Sequence, residues 1–227
     1  MRNLSSNVKR ITMIGMFSAI AFALVTFGRI PVVLFLKYDP KDIIIALGGF
    51  IMGPLASLLI SVIVSFIEMI TISDTGIIGC IMNILSTCSF ACVASIIYYR
   101  KKTIKGAIIG LVTGCVAMVI IMIAWNYLIT PLYMKIPRQQ VAELLIPAFL
   151  PFNVLKGGLN AAFTFLLYKP IIGALRKSGL VSTGKGETAS STASEGSKKI
   201  GYLGIKIGAL LVIAGCIIWI LVLRGII

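Results

Sequence analysis

The sequence predicts an all-α fold, a polytopic membrane helical bundle: a six-helix core (1–177), a polar linker (178–200) and one additional C-terminal transmembrane helix (201–227). Three observations predict it. The 227 residues are 59% hydrophobic and only 12% charged, with a mean hydropathy of +1.06, a composition outside the range of soluble domains. Apolar segments recur between short polar loops, most of them near the roughly 20 residues a helix needs to cross a bilayer. Cations are concentrated in alternate loops: Arg2, Lys9, Arg10, the Arg100 to Lys105 run, Lys169, Arg176, Lys177, the linker lysines and Lys206 lie on one side, against Arg29, Lys37, Lys41, Lys135, Arg138 and Arg224 on the other. Positive charge marks the cytoplasmic side, so the chain is expected as a multi-pass cell-membrane protein with its N-terminus inside and its C-terminus outside. The net charge of +14 orients the protein and favours anionic membrane lipid over nucleic acid as a partner.

The first apolar run, Ile11 to Gly28, follows a basic N-terminus as in a signal peptide, but its small-x-small patterns fall inside the run and not after it, so it is expected to remain as helix one. Gly15, Ala19 and Ala23 recur every four residues and give this helix a nearly flat face. Such a face serves packing inside the bundle or docking of another protein. The Pro-led run Ile30 to Tyr38 is too short to span and is expected to fold back over the bundle as an outer loop. Asp39-Pro40-Lys41-Asp42 has the form of a helix start, with an Asp cap, Pro in the first turn and a following carboxylate. Helix two is then short, from Pro40 to Met52, and ends at Gly53-Pro54. Helix three carries Glu68 near its outer end, where a carboxylate reaches either the interface, the preferred reading, or the mouth of a pocket.

Helices four (Ile77 to Tyr99) and five (Gly106 to Ile129) follow, the latter ending in Trp125, Asn126 and Tyr127 at the expected level of an aromatic belt. Asn126 is either an interfacial amide or a pocket group at the depth of Asn153. Helix six holds the least membrane-like stretch, Pro151-Phe152-Asn153-Val154-Leu155-Lys156-Gly157-Gly158-Leu159-Asn160. Asn153, Lys156, Gly157, Asn160 and Thr164 recur at three- and four-residue steps and form one polar stripe, opposite Phe152, Leu155, Leu159, Phe163 and Leu166. A lysine near the bilayer centre costs about 2.5 to 3.5 kcal/mol, so Lys156 is expected to face a buried pocket in preference to snorkelling outward.

Catalytic and metal chemistry find little support. The chain has no histidine, and its five cysteines sit in apolar segments without a C-x-x-C pair, so neither a zinc site nor disulfides are implied. Gly179 to Lys185 fits G-x-x-x-x-G-K, but Gly186 replaces the metal-binding Ser or Thr and no strand precedes it, so it is set aside as a phosphate loop. No enzyme activity and no cofactor are expected. An autonomous secondary transporter using Lys156 and Glu68 as a proton couple is the rival from another class.

Three local motifs together resemble the riboflavin-binding S components of energy-coupling factor (ECF) vitamin transporters: the apolar loop leading into Lys37-Tyr38-Asp39-Pro40-Lys41-Asp42-Ile43, the run Asn126-Tyr127-Leu128-Ile129-Thr130-Pro131-Leu132-Tyr133, and Asn153-Val154-Leu155-Lys156-Gly157-Gly158-Leu159-Asn160. The resemblance spans roughly residues 8 to 178 and implies a six-helix substrate-binding subunit. It implies that Asn126, Asn153 and Lys156, with Asn160, contact riboflavin while the loop bearing Leu36 and Tyr38 closes over it. It further implies that the Gly15, Ala19 and Ala23 face docks a transmembrane coupling (T) subunit, and that ATP is used only by two cytoplasmic ATPase partners. An S component for a different vitamin is the nearest alternative. The resemblance is silent on the linker and the seventh helix.

Overall fold

The computed structural model describes residues 2–34, 36–177, 206–218 and 221. Helix α1 runs Arg2–Gly28, so the basic N-terminus continues the apolar helix and is not a separate tail. A hairpin follows, β1 (Ile30–Val33) antiparallel to β2 (Leu36–Tyr38), and then α2 (Lys41–Met52) and α3 (Pro54–Thr71). α4 (Gly76–Thr87) passes through a π-helical turn at Cys88–Cys92 into α5 (Val93–Lys101). α6 (Ile104–Met134) is the longest helix, and α7 (Arg138–Leu144) leads through a second π turn, Leu145–Phe149, into α8 (Leu150–Lys177). A last apolar helix, α9, covers Lys206–Ile218. Five of these helical runs are long and apolar enough to cross a membrane, and α2 is the short sixth member of the core. The linker expected at 178–200 and the phosphate-loop look-alike fall outside the described residues, as does much of the span expected for the seventh helix.

The bundle core joins α1 (Phe17, Ala21) to α2 (Ile45, Leu47), α3 (Ile60, Val64), the first π turn (Phe90) and α6 (Met118). α5 and α6 approach closely because α6 presents glycine at the contact. A Cβ at Gly110 would lie 2.6 Å from the Ala94 carbonyl oxygen, and one at Gly114 would lie 2.5 Å from that of Phe90. This is the small-residue packing that lets membrane helices meet backbone to backbone. The second π turn contains Pro147, which cannot donate to a helical ladder, and Pro151 lies in the first turn of α8, so the entry into α8 is irregular just before the polar stripe.

Two expectations need correction here. The Ile30 to Tyr38 loop is a β-hairpin that turns at Leu34, whose φ of +51° lies in the left-handed region. The hairpin docks on the bundle by burying Val32, Leu36 and Tyr38 against Phe149, Phe152, Leu155 and Leu159. Asp39 does not cap α2 either: Pro40 occupies that position without a side-chain cap, because the Asp39 carboxylate is drawn away to Arg29 at 2.7 Å. A partly buried cation competes more strongly for a carboxylate than backbone N–H groups that water or a tightened first turn can satisfy.

Candidate functional site

The hairpin covers a cleft at one end of the bundle. Its walls come from β2 (Leu36, Lys37), the turn Ser73 to Thr75, α4 (Met82, Asn83, Ser86), α6 (Met122) and α8 (Phe152, Asn153, Lys156), with Arg29 and Asp39 at its edge. The enclosed space is about 60 Å³, well below the range of small-molecule pockets, so a drug-sized ligand enters only as the hairpin lifts. The polar stripe of α8 faces inward as its periodicity requires: Asn153, Lys156, Asn160 and Thr164 are all buried, while Val154 on the opposite side is half exposed.

Lys156 does not snorkel outward. Its ammonium lies 3.3 Å from Asp42 Oδ2 and donates to Ser86 Oγ at 3.2 Å. An ammonium has three donors, so two partners leave one N–H for the cleft. Asp42 is itself fully buried and held from three directions, by Thr87 Oγ1 (2.6 Å), Asn160 Nδ2 (3.2 Å) and Lys156. Asn160 also accepts from the Tyr38 hydroxyl at 3.0 Å, which ties the hairpin to the floor of the site. Burial, followed by the charges of Asp42 and Asp39, pushes the Tyr38 phenol up, so it stays a neutral donor.

A second buried cluster adjoins the first. Glu68 bonds Lys41, Arg29 Nη2 (2.9 Å) and Asn83 Nδ2 (2.9 Å), and Arg29 Nε also holds Asp39. The preferred interfacial placement of Glu68 is therefore overturned: its side chain is about 1% exposed. Three cations and three carboxylates neutralise one another within these two clusters, as buried charge requires. Burial alone would raise the Asp39 carboxyl, yet Lys41, Lys156 and Arg29 hold it below the ordinary aspartate value. At the mouth, the exposed pair Lys37 and Asp74 (2.9 Å) joins the hairpin to the Ser73 to Thr75 turn.

Of the residues expected from the sequence, Leu36, Asn153 and Lys156 line the cleft, and Tyr38 and Asn160 support it from behind. Asn126 lies one turn beyond the cleft residue Met122. It is fully buried and bonded within α6, its Nδ2 to the Met122 carbonyl (2.7 Å) and its Oδ1 to Thr130 (2.9 Å). Gly15, Ala19 and Ala23 are exposed on the outer side of α1, and a Cβ at Gly15 would meet nothing within 4 Å. The internal-packing reading of that face is thereby excluded among the described residues. Sequence reasoning missed Asp42 and Arg29 as members of the buried network and gave Glu68 a pocket place only as the second choice. One signal was available: a buried Lys156 demands a carboxylate, and of only seven in the chain few fall at bundle depth.

Residues 9–168 match the family model of the ECF transporter substrate-specific component. The chain belongs to this family. The S component so defined is a transport protein and not an enzyme, and α9 lies beyond the matched region. Among known proteins it is similar to the riboflavin transporter RibU of Staphylococcus aureus (strain TCH60), 29% identical over 185 residues that cover 77% of this chain and 96% of the relative. It is likewise similar to the riboflavin transporter FmnP of Bacillus subtilis (strain 168), 28% identical over 176 residues, 71% of this chain and 92% of that one. A solved structure, described as "Structure and mechanism of the S component of a bacterial ECF transporter", superposes with a TM-score of 0.64 at 30% identity, covering 75% of this chain and 99% of that chain.

Proposed function

We propose that this S component binds riboflavin in the cleft under the hairpin, from the outer face of the cell membrane, for ATP-dependent uptake with a T subunit and two ATPases. The observation that carries the reading is the pair Asn153 and Lys156, buried side by side on the cleft wall in a chain whose relatives are riboflavin transporters. The pyrimidine edge of an isoalloxazine ring alternates carbonyl oxygens with an N–H. Asn153 spends one N–H on the Phe149 carbonyl (2.7 Å), which leaves the other N–H and Oδ1 to match such an edge, and Lys156 donates its remaining N–H to a ring carbonyl. Phe152, Leu36 and Met122 supply apolar walls for the ring faces. Asn126, one turn nearer the outer end of α6 than Met122, meets the ring on the mouth side. The Lys/Arg distribution supports a mouth on the outer side, and the exposed small-residue face of Gly15, Ala19 and Ala23 supports docking of the T subunit there.

Riboflavin titration of the detergent-purified protein, followed by flavin fluorescence, tests the reading. Stoichiometric binding is expected, weakened about 10- to 100-fold by Asn153→Ala or Lys156→Gln, the loss of a hydrogen bond that is charge-assisted at Lys156. Unchanged affinity in a folded double variant overturns the site, and indifference to riboflavin with binding of another vitamin transfers the fold to that substrate. Uptake by this chain alone in liposomes would restore the secondary transporter. Against that rival, Lys156 pairs with Asp42 and Glu68 with Lys41, so the proposed proton couple is not in direct contact.

A further inference from the structure

A second cavity, which shares no lining residue with the cleft, lies between α6, α8 and α9. It is a lateral groove of about 490 Å³ lined by α6 (Ile108, Leu111, Val116), α8 (Gly158, Phe165) and α9 (Gly208) among others, all apolar or sulfur-bearing. It exists because small residues face one another across it: Gly158 and Ala161 on one side, Gly208 and Ala209 on the other. From Ile108 to Val116 it extends about 12 Å along α6 at the rise of a helix. Among the described residues no polar side chain lines it to hold water, and an unfilled void of this size forfeits the dispersion contacts of every wall. A hydrocarbon chain is the occupant that a bilayer supplies.

One end of the groove is marked by charge. Lys105 on α6 is three residues before Ile108, Lys169 on α8 is four after Phe165, and Lys206 on α9 is two before Gly208. Three lysines from three helices therefore lie at the same end of the groove, and Lys105 and Lys169 are exposed there. This end carries the other cation-rich segments, the side expected to meet the anionic cytoplasmic leaflet. We infer that the groove is a binding site for one anionic phospholipid, with an acyl chain between α6, α8 and α9 and its phosphate at Lys105, Lys169 and Lys206. The lipid then forms part of the contact between α9 and the core. The site is independent of the riboflavin reading.

The test uses the full chain in nanodiscs of equal phosphatidylglycerol and phosphatidylcholine, released for native mass spectrometry. One retained phosphatidylglycerol per chain is expected, favoured about tenfold or more over phosphatidylcholine, since each lysine near the surface contributes to anionic preference. The triple variant Lys105→Gln, Lys169→Gln, Lys206→Gln should retain lipid with a ratio near one. Gly208→Trp should lose the lipid: a Cβ there meets nothing within 4 Å, so the ring fills the groove without displacing the core, and a melting curve reports that the variant is folded. The inference is overturned if the parent chain retains no lipid, holds both lipids equally or appears as a lipid-free dimer. It is also overturned if folded Gly208→Trp retains lipid as before, or if the triple variant keeps the parent preference.

Discussion

Asp39 links a hairpin, a helix end and a buried charge cluster through a single carboxylate, and its protonation should be felt in stability. Its folded value is held below the ordinary aspartate value of about 3.9, because Lys41, Lys156 and Arg29 outweigh the cost of burial. A depressed carboxylate stabilises the fold fully above its unfolded value, and that contribution disappears as pH falls through the folded one. The melting temperature in detergent should therefore be level between pH 7 and 5 and fall below about pH 4. Asp39→Asn should melt lower at pH 7 and lose part of the acid slope; an unaltered slope in that variant would remove Asp39 as the cause. At this scale the sequence was half legible. The inward stripe Asn153, Lys156 and Asn160 followed from helical spacing, because one helix fixes which residues share a face. Its partners did not, because Arg29 with Glu68 and Lys156 with Asp42 are contacts between distant helices that no local period encodes. Asp39 was misread for the same reason: a good local cap gave way to a tertiary ion pair.

Among the elements, the membrane helices were legible because hydropathy and length follow directly from the thickness of a bilayer. The hairpin was not. Its turn passes through Leu34 at φ +51° without the Asn-Gly or Gly signal that usually marks a two-residue turn, and its apolar residues read as continuous, not alternating. The π turn at Cys88–Cys92 was equally hidden, since its sequence carries no proline or glycine. Its consequence is tertiary: the Phe90 carbonyl lies against Gly114 of α6, close to where Ser86 and Thr87 of α4 hold Lys156 and Asp42. Gly114→Val would force α4 and α5 away from α6, an overpacking that costs roughly 1 to 3 kcal/mol or more when backbone must move. A lower melting temperature with weakened riboflavin binding is expected, whereas Gly15→Val, in open space, should leave both unchanged. Equal effects of the two substitutions would refute the close-approach argument.

For the whole molecule, the proposed ligand site and the proposed partner face lie apart in the bundle. The cleft is enclosed by the hairpin, α4, α6 and α8, whereas Gly15, Ala19 and Ala23 lie on the opposite side of α1 from the residues, Phe17 and Ala21, that enter the core. A partner that grips this face can move the bundle as one body, because α1 is joined to α2, and α2 carries Asp42 into the site. Coupling would then pass through rigid packing, with no rearrangement of the ligand's hydrogen bonds required. This separation makes a sharp expectation for Ala19→Trp with Ala23→Trp. Both side chains are exposed and touch nothing the cleft depends on, so riboflavin affinity and melting temperature should match the parent chain. If this small-residue face is the docking surface proposed, two indole rings on it should block the approach of a partner helix, since small residues are what let membrane helices meet. Co-purification with the T subunit and ATPases, and riboflavin uptake by the assembled complex, should both be lost. Intact co-purification with normal uptake would move the docking surface elsewhere on the bundle, and lost riboflavin binding would show that α1 and the cleft are not separate after all.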